Sequence, residues 1–271
     1  MTGAFELEEV DGLLLVRCRA LAAIPGILHA FSTAREGVSA GFDLGTAHAG
    51  DPSVQSRRER FLAAAGFVGC TAAIVRQVHG TRVVRASDTA SEPEADGVAW
   101  HSGEPVGRIP AVRTADCVPI LMAERRGRAA AALHAGWRGA AAGMASKAVE
   151  ELAAGGIPPS DLVAALGPAI LGCCYEIGWE VEEALGASVP AGRGGDVSRT
   201  DSRGRIKADL HATIRWQLVA SGVPEGAIHC APWCTRCRAD LFHSYRRQGA
   251  NAGRMMACIG PAVQAPRRGD P

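Results

Sequence analysis

The sequence predicts an α/β protein built on mixed sheets. Apolar runs of strand length alternate with stretches of helix length, which is the pattern of α/β architectures. Several of these runs also follow one another with no helix between them. A parallel pair needs a long crossover, so these neighbours pair antiparallel and a pure βαβ winding is excluded.

The elements follow in order. LLLVRC (Leu13 to Cys18) and ILHAF (Ile27 to Phe31) are strands, and Asp51-Pro52 opens a helix over Ser53 to Ala65. AAIVRQVHG is a strand ending at His79, with TRVVRA as its hairpin partner or neighbour. RIPAVRTADCVPILMA holds two apolar runs around Thr114 to Cys117, and AAALHAGW is a strand ending near His134. Small residues from Arg138 to Ala154 form a helix that stops at Gly155-Gly156. DLVAALGP is a strand, Trp179 to Leu185 and Ala208 to Ser221 are helices, and AIHCA and RMMACIG are late strands. Gly186 to Arg205, rich in Gly, Ser, Arg and Asp, reads as a mobile excursion.

Composition narrows the function. The 271 residues are 47% hydrophobic and 21% charged, which excludes a disordered chain. No apolar run reaches the ~20 residues of a bilayer span, and the acidic start MTGAFELEEVDG lacks a signal-peptide pattern. The expectation is a cytoplasmic protein with no membrane partner. A net charge of +1 gives no nucleic-acid footprint. Nine cysteines, an odd number without an export signal, point to reduced thiols rather than a disulfide framework.

Three segments share one design: an apolar run ending in a reactive side chain beside a glycine or tight turn. They are RQVHG with His79, TADC with Cys117 and LHAGWRG with His134. Strand ends are where α/β folds collect their sites. A thiolate with two imidazoles suits Zn²⁺ or copper, and three protein ligands leave a fourth position for water or substrate. The same residues also fit a Cys–His nucleophilic dyad, with Cys117 attacking. In HAGWRGAAAG the glycines permit close backbone approach. Arg138, at the start of the following helix, can fork onto phosphate there, with Arg76 and Arg246 as further candidates. GPAILGCCYEIG offers Glu176 as an acid or base, and Asp116 beside Cys117 is the alternative proton carrier. LFHSYRR brings Tyr245, Arg246 and Arg247 together, with Arg254 nearby, as a lining for an anionic or purine ligand. The Cys-x-x-Cys of Cys234 and Cys237 lacks a second ligand pair in sequence, and the adjacent Cys173 and Cys174 point apart. Cys234 and Cys237 read as reduced structural thiols, and adjacent cysteines such as Cys173 and Cys174 rarely share one metal.

With these segments in one order, the chain resembles the YfiH family of laccase-domain proteins, also labelled multicopper polyphenol oxidoreductases and associated with purine nucleoside phosphorylase activity. The matching segments are HAFSTAREGVSAG, HAGDP, RQVHG, ADGV, TADCVPILM, HAGWRGAAAG, GPAILGCCYEIG, DLHATIRWQL and FHSYRRQGANAGR. The resemblance implies a single-domain layered α/β/β/α sandwich over residues 1–271; the first ~10 residues and the last ~11, PAVQAPRRGDP, are expected to be frayed. It implies one catalytic zinc on His79, Cys117 and His134, with copper as the alternative ion. The implied substrates are purine nucleosides (adenosine, inosine and S-methyl-5′-thioadenosine) with phosphate, alongside adenosine deamination. Zinc lowers the pKa of water to about 7, which suits attack on C6 of adenine. One departure lies near the N-terminus: the family pattern STRxGGVS appears here as STAREGVS, with Arg35 displaced by one place and Glu36 in place of a glycine, and the SLNLG that follows is shortened to FDLG.

Two rival readings remain. A copper polyphenol oxidoreductase of the multicopper type needs about four coppers and paired histidines. This chain has eight histidines and no His-x-His. A non-enzymatic binding or editing factor for peptidoglycan precursors would have no use for an open metal site.

Overall fold

Residues 3–37, 39–45 and 52–262 are described by the computed structural model. Two mixed sheets lie face to face with helices on both outer faces, giving the α/β/β/α order. The first sheet runs Phe5–Val10, Leu13–Cys18, Ile27–Glu36, Met255–Pro261, Arg108–Thr114, Thr71–Ala73, with Ser39–Ala40 added beside Ile27–Glu36. The second runs Ile228–Cys230, Leu162–Leu166, Val118–Glu124, Ala129–Ala135, Gly97–His101, Val83–Arg85. Most pairs are antiparallel. The parallel exceptions are Thr71–Ala73 on Arg108–Thr114, Val83–Arg85 on Gly97–His101, and Leu162–Leu166 on Ile228–Cys230.

The central strands have long apolar runs because both of their faces are buried. Side chains of period two divide them. Val16, Phe31, Val112 and Ile259 of the first sheet meet Val98, Leu121, Ala130 and Val163 of the second, forming the core between the sheets. The opposite parity faces outward. Leu15, Ile109 and Met256 pack against Phe61 and Leu62 of the helix Pro52–Ala65. Ile120, Leu133 and Leu166 pack against Val149 and Leu152 of Met144–Ala154 and Ile214 and Leu218 of Leu210–Ala220. Asp209 caps the last of these helices, accepting the Ala212 N–H at 3.0 Å.

Several expectations need correction. Residues 5–10 of the N-terminal stretch form a strand: Asp11 and Gly12, both at positive φ, turn the chain so that Phe5–Val10 pairs with Leu13–Cys18, while Met1 and Thr2 lie outside the described residues. Only the first two residues of the AAIVRQVHG run lie in a strand, Thr71–Ala73, because the chain leaves the sheet before His79. Val83–Arg85 is not its hairpin partner but joins the other sheet. The stretch Arg138 to Ala154 is two helices, Trp137–Ala141 and Met144–Ala154, broken where Gly143 takes φ +80°. The excursion over Gly186 to Arg205 contains the strand Ser198–Thr200, which pairs with Ile206–Ala208 in a three-stranded sheet with Glu176–Ile177. Residues 263–271 of the tail lie outside the described residues.

His29 sits in the first sheet, its Nε2 accepting the Cys18 N–H at 2.8 Å. Burial, joined by the neighbouring Arg17 guanidinium, holds its imidazole down at about 3. The unfolded chain takes up this proton near pH 6.5 and the folded chain does not, so stability falls as pH drops from 6.5 toward 3. In urea titrations across pH 5–7, His29→Gln should lessen the acid-side slope by up to ~1.4 kcal/mol per pH unit. An unchanged slope would show that His29 carries none of this acid sensitivity.

Candidate functional site

Cys117 lies where the chain crosses between sheets. Arg108–Thr114 ends in the first sheet, and Val118–Glu124 begins in the second. Ala115-Asp116-Cys117 makes the crossing, and Asp116 takes φ +86° to do so. A non-glycine residue in this region is strained. Its carboxylate holds the turn by accepting from Thr235 Oγ1 (2.6 Å), Ser244 Oγ (3.0 Å) and the Arg246 N–H (2.6 Å).

His134, near the end of Ala129–Ala135, shares the parity of Ala130 and Ala132 and so faces the space between the sheets. His79 stands at φ +61° in a loop organised by Asp96. The Asp96 carboxylate is fully buried and accepts the N–H groups of Val78 (3.2 Å), His79 (2.9 Å) and Gly80 (2.6 Å). It also meets His134 Nδ1 at 2.8 Å. An ionised carboxylate only accepts, so Nδ1 carries the proton and Nε2 is left for the cavity. Burial favours the neutral acid at Asp96, but the His134 contact and these N–H groups outweigh it and keep its carboxyl below the usual range.

The donor atoms of His79, Cys117 and His134 lie within 4.8 Å of one another. The two rings are edge-on, with centroids 4.9 Å apart. Gly136 makes this closeness possible, since a Cβ there would come within 2.8 Å of the His79 ring and 3.0 Å of Cys117 Sγ. Burial opposes ionisation of Cys117, yet the imidazoles, His134 foremost, bring its thiol down to about 6. Burial likewise opposes the His134 cation, which the Cys117 thiolate and Asp96 lift to about 9. One sulfur and two imidazole nitrogens, one of them fixed by a carboxylate behind it, form a donor set that fits a zinc or copper ion.

These residues open into a cavity of about 680 Å³. Arg76, Arg113, Arg246 and Arg254 line it, together with Trp137, Tyr175 and Tyr245. Arg113 is anchored by its Nη1 and Nη2, which donate to Gly45 O (3.1 Å) and Val75 O (3.3 Å). Arg246 reaches across the Tyr175 ring, 5.2 Å from its centroid, and donates to Glu176 O at 3.0 Å. Arg76 pairs with Glu94 at 2.7 Å. Burial and the Cys117 thiolate push the Tyr175 phenol up to about 12, so it remains a hydrogen-bond donor at neutral pH.

Two of the expected site residues, Glu176 and Arg138, are not in the cavity lining. Glu176 is outside the cavity: its carboxylate pairs with Lys207 (2.9 Å) and Arg205 (3.6 Å) in the neighbouring hollow. Arg138 is not in the lining either; its guanidinium stacks at 4.4 Å on the ring of Trp137, which is, and its charge is felt by the Tyr175 phenol. Asp116 does line the cavity beside Cys117, and its carboxylate braces the turn. Arg35 and Glu36 stand away from the cavity, with Glu36 tied to Arg60 at 2.5 Å. His48 to Asp51 of the HAGDP segment lie outside the described residues. Sequence reasoning missed Asp96 and Arg113, although both sit in segments it had singled out, ADGV and the strand leading into TADC.

Asp96→Asn should weaken zinc binding at this site about 10- to 100-fold, because the neutral amide no longer holds the His134 tautomer or closes the His79 loop. Chelator competition measures this, and unchanged affinity would remove Asp96 from the metal's support.

Fold and donor set together define a layered α/β protein with a thiol–imidazole cavity between its sheets. The family described as "Multi-copper polyphenol oxidoreductase laccase" matches residues 28–262, and the chain belongs to that enzyme family. It is 37% identical over 255 residues to a purine nucleoside phosphorylase of Deinococcus radiodurans, covering 92% of this chain and 93% of the relative. It is 37% identical over 191 residues to adenosine deaminase RL5 of an unknown prokaryotic organism, covering 68% and 72%. The crystal structure of YlmD from Geobacillus stearothermophilus superposes with a TM-score of 0.83 at 31% identity, covering 96% of this chain and 100% of that one.

Proposed function

We propose that this protein is a zinc-dependent purine nucleoside phosphorylase that also deaminates adenosine. The observation carrying this reading is the joint presence, in one cavity, of the Cys–His–His cluster, four arginines and three aromatic rings. The rings offer stacking surfaces to a purine, and the arginines offer charge-assisted donors to phosphate. The relatives named for phosphorolysis and deamination support both activities. Phosphorolysis transfers C1′ from the purine nitrogen to a phosphate oxygen, and the purine leaves with a proton. In this chain the arginines bind and orient phosphate, and the Tyr175 phenol is a donor within the cavity. His79, Cys117 and His134 would hold the metal, which supplies Lewis acidity at the cavity wall. Asp96 fixes His134, and Asp116 fixes the turn carrying Cys117.

The copper oxidoreductase reading is less well supported. Among the described residues, only one candidate metal cluster contains histidine, whereas multicopper oxygen reduction needs several. The deciding experiment is a nucleoside panel with and without phosphate, with products identified by mass, beside oxygen uptake on phenols. Inosine should yield hypoxanthine and ribose-1-phosphate only with phosphate present. Phenol oxidation with no purine turnover would overturn the proposal, and inactivity on both would favour a binding factor.

A further inference from the structure

A second group of metal-ligating side chains lies outside this cavity. Cys173 and Cys174 occupy a turn after the strand Leu162–Leu166, and Cys234 and Cys237 bracket the turn Cys-Thr-Arg-Cys. The fold brings Cys173 and Cys174 to the Cys-x-x-Cys as the second ligand pair that the sequence did not show. All four sulfurs lie within 4.8 Å of one another, with Cys174 to Cys237 at 3.3 Å and Cys173 to Cys237 at 3.7 Å. All four thiols are free. Tetrahedral zinc with Zn–S bonds of about 2.3 Å holds its sulfurs about 3.8 Å apart, so little movement is needed.

Two of the four sulfurs accept hydrogen bonds from neighbouring N–H groups. The Leu171 N–H and Arg236 Nη1 each donate to a sulfur at 3.5 Å, on Cys234 and Cys174 respectively. Zinc on four thiolates carries a net charge of −2, and Arg205, Lys207, Arg236 and Arg246 share the hollow that exposes Cys173 and Cys174. The two turns are already in register through the Thr235 N–H on Ala169 O at 2.9 Å.

We propose that Cys173, Cys174, Cys234 and Cys237 bind one structural zinc ion, separate from the ion of the cavity. Four protein ligands close the coordination sphere, so this site holds structure and does no chemistry. It clamps two loops that build the cavity wall. Tyr175 directly follows Cys174. Thr235, inside the Cys-x-x-Cys turn, braces Asp116 beside Cys117.

Zinc analysis tests this on the intact chain purified under reducing conditions. The Cys117→Ala/His134→Ala variant, stripped of the cavity ligands, should retain about one zinc per chain. Loaded with cobalt, it should show the intense d–d and thiolate charge-transfer bands of a tetrahedral tetrathiolate centre. Cys174→Ser/Cys237→Ser in that background should abolish both signals. Should the quadruple variant not fold, iodoacetamide labelling of wild type gives an independent reading. The four thiols should resist modification until zinc is chelated, although Cys173 and Cys237 are exposed. A metal-free Cys117→Ala/His134→Ala protein without tetrathiolate bands would overturn the proposal. So would immediate labelling of all four thiols, or disulfides among them in the reduced preparation.

Discussion

Cys117→Ala should cost the cavity its metal and the protein both proposed activities. Cys117 supplies the only sulfur among the three clustered donors, and two imidazoles alone make a much weaker zinc site. Zinc content should fall by about one equivalent per chain. Phosphorolysis and deamination should each drop on the order of 10³-fold or more, since a Lewis acid contributes several kcal/mol of charge stabilisation. His134→Ala should match it, through loss of a ligand held by Asp96. The experiment also separates metal from nucleophile. The lowered Cys117 thiol beside the raised His134 imidazole would serve a Cys–His dyad as well. Chelator-treated protein that keeps full activity, yet loses it on alkylation of Cys117, would establish the dyad and overturn the metal reading.

Arg246→Ala should separate the two reactions. Phosphate is a reactant in phosphorolysis and has no part in deamination. Arg246 lines the cavity and its backbone is fixed by Asp116, so its guanidinium is placed to hold an anion. Loss of a charge-assisted contact to the reacting phosphate costs roughly 30- to 1000-fold in kcat/KM. Deamination should fall less than about tenfold, reflecting only the loosened Tyr175 ring. Arg246→Lys should recover part of the phosphorolysis, because it keeps the charge without the fork. Arg138→Ala is the contrast: its side chain lies on Trp137 outside the lining, so phosphorolysis should stay within a few-fold of wild type. A large loss in Arg138→Ala with none in Arg246→Ala would return the phosphate to the helix start at Trp137–Ala141.

The central strands were readable because burial on both faces leaves continuous apolar runs, as in Val118–Glu124 and Ala129–Ala135. His79, Cys117 and His134 were readable too, since each stands in a short segment whose glycines and turn residues mark a tight backbone approach. The amino-acid order therefore contained the mixed-sheet α/β class and the three candidate donors, while the two-sheet layering was legible only through the family resemblance. It did not contain the partners of those donors or the meeting of the other cysteines. Asp96 is 38 residues from His134, and Cys174 is 63 residues from Cys237. Contacts of that span arise from sheet pairing and from the crossing at Asp116, which no local propensity encodes. The same holds for direction. Glu176 turns to Lys207 and Arg138 turns onto Trp137 because those groups compete for them through space. The left-handed backbone at His79 and Asp116 persists only because the buried Asp96 and Asp116 carboxylates gather N–H and O–H donors from distant loops.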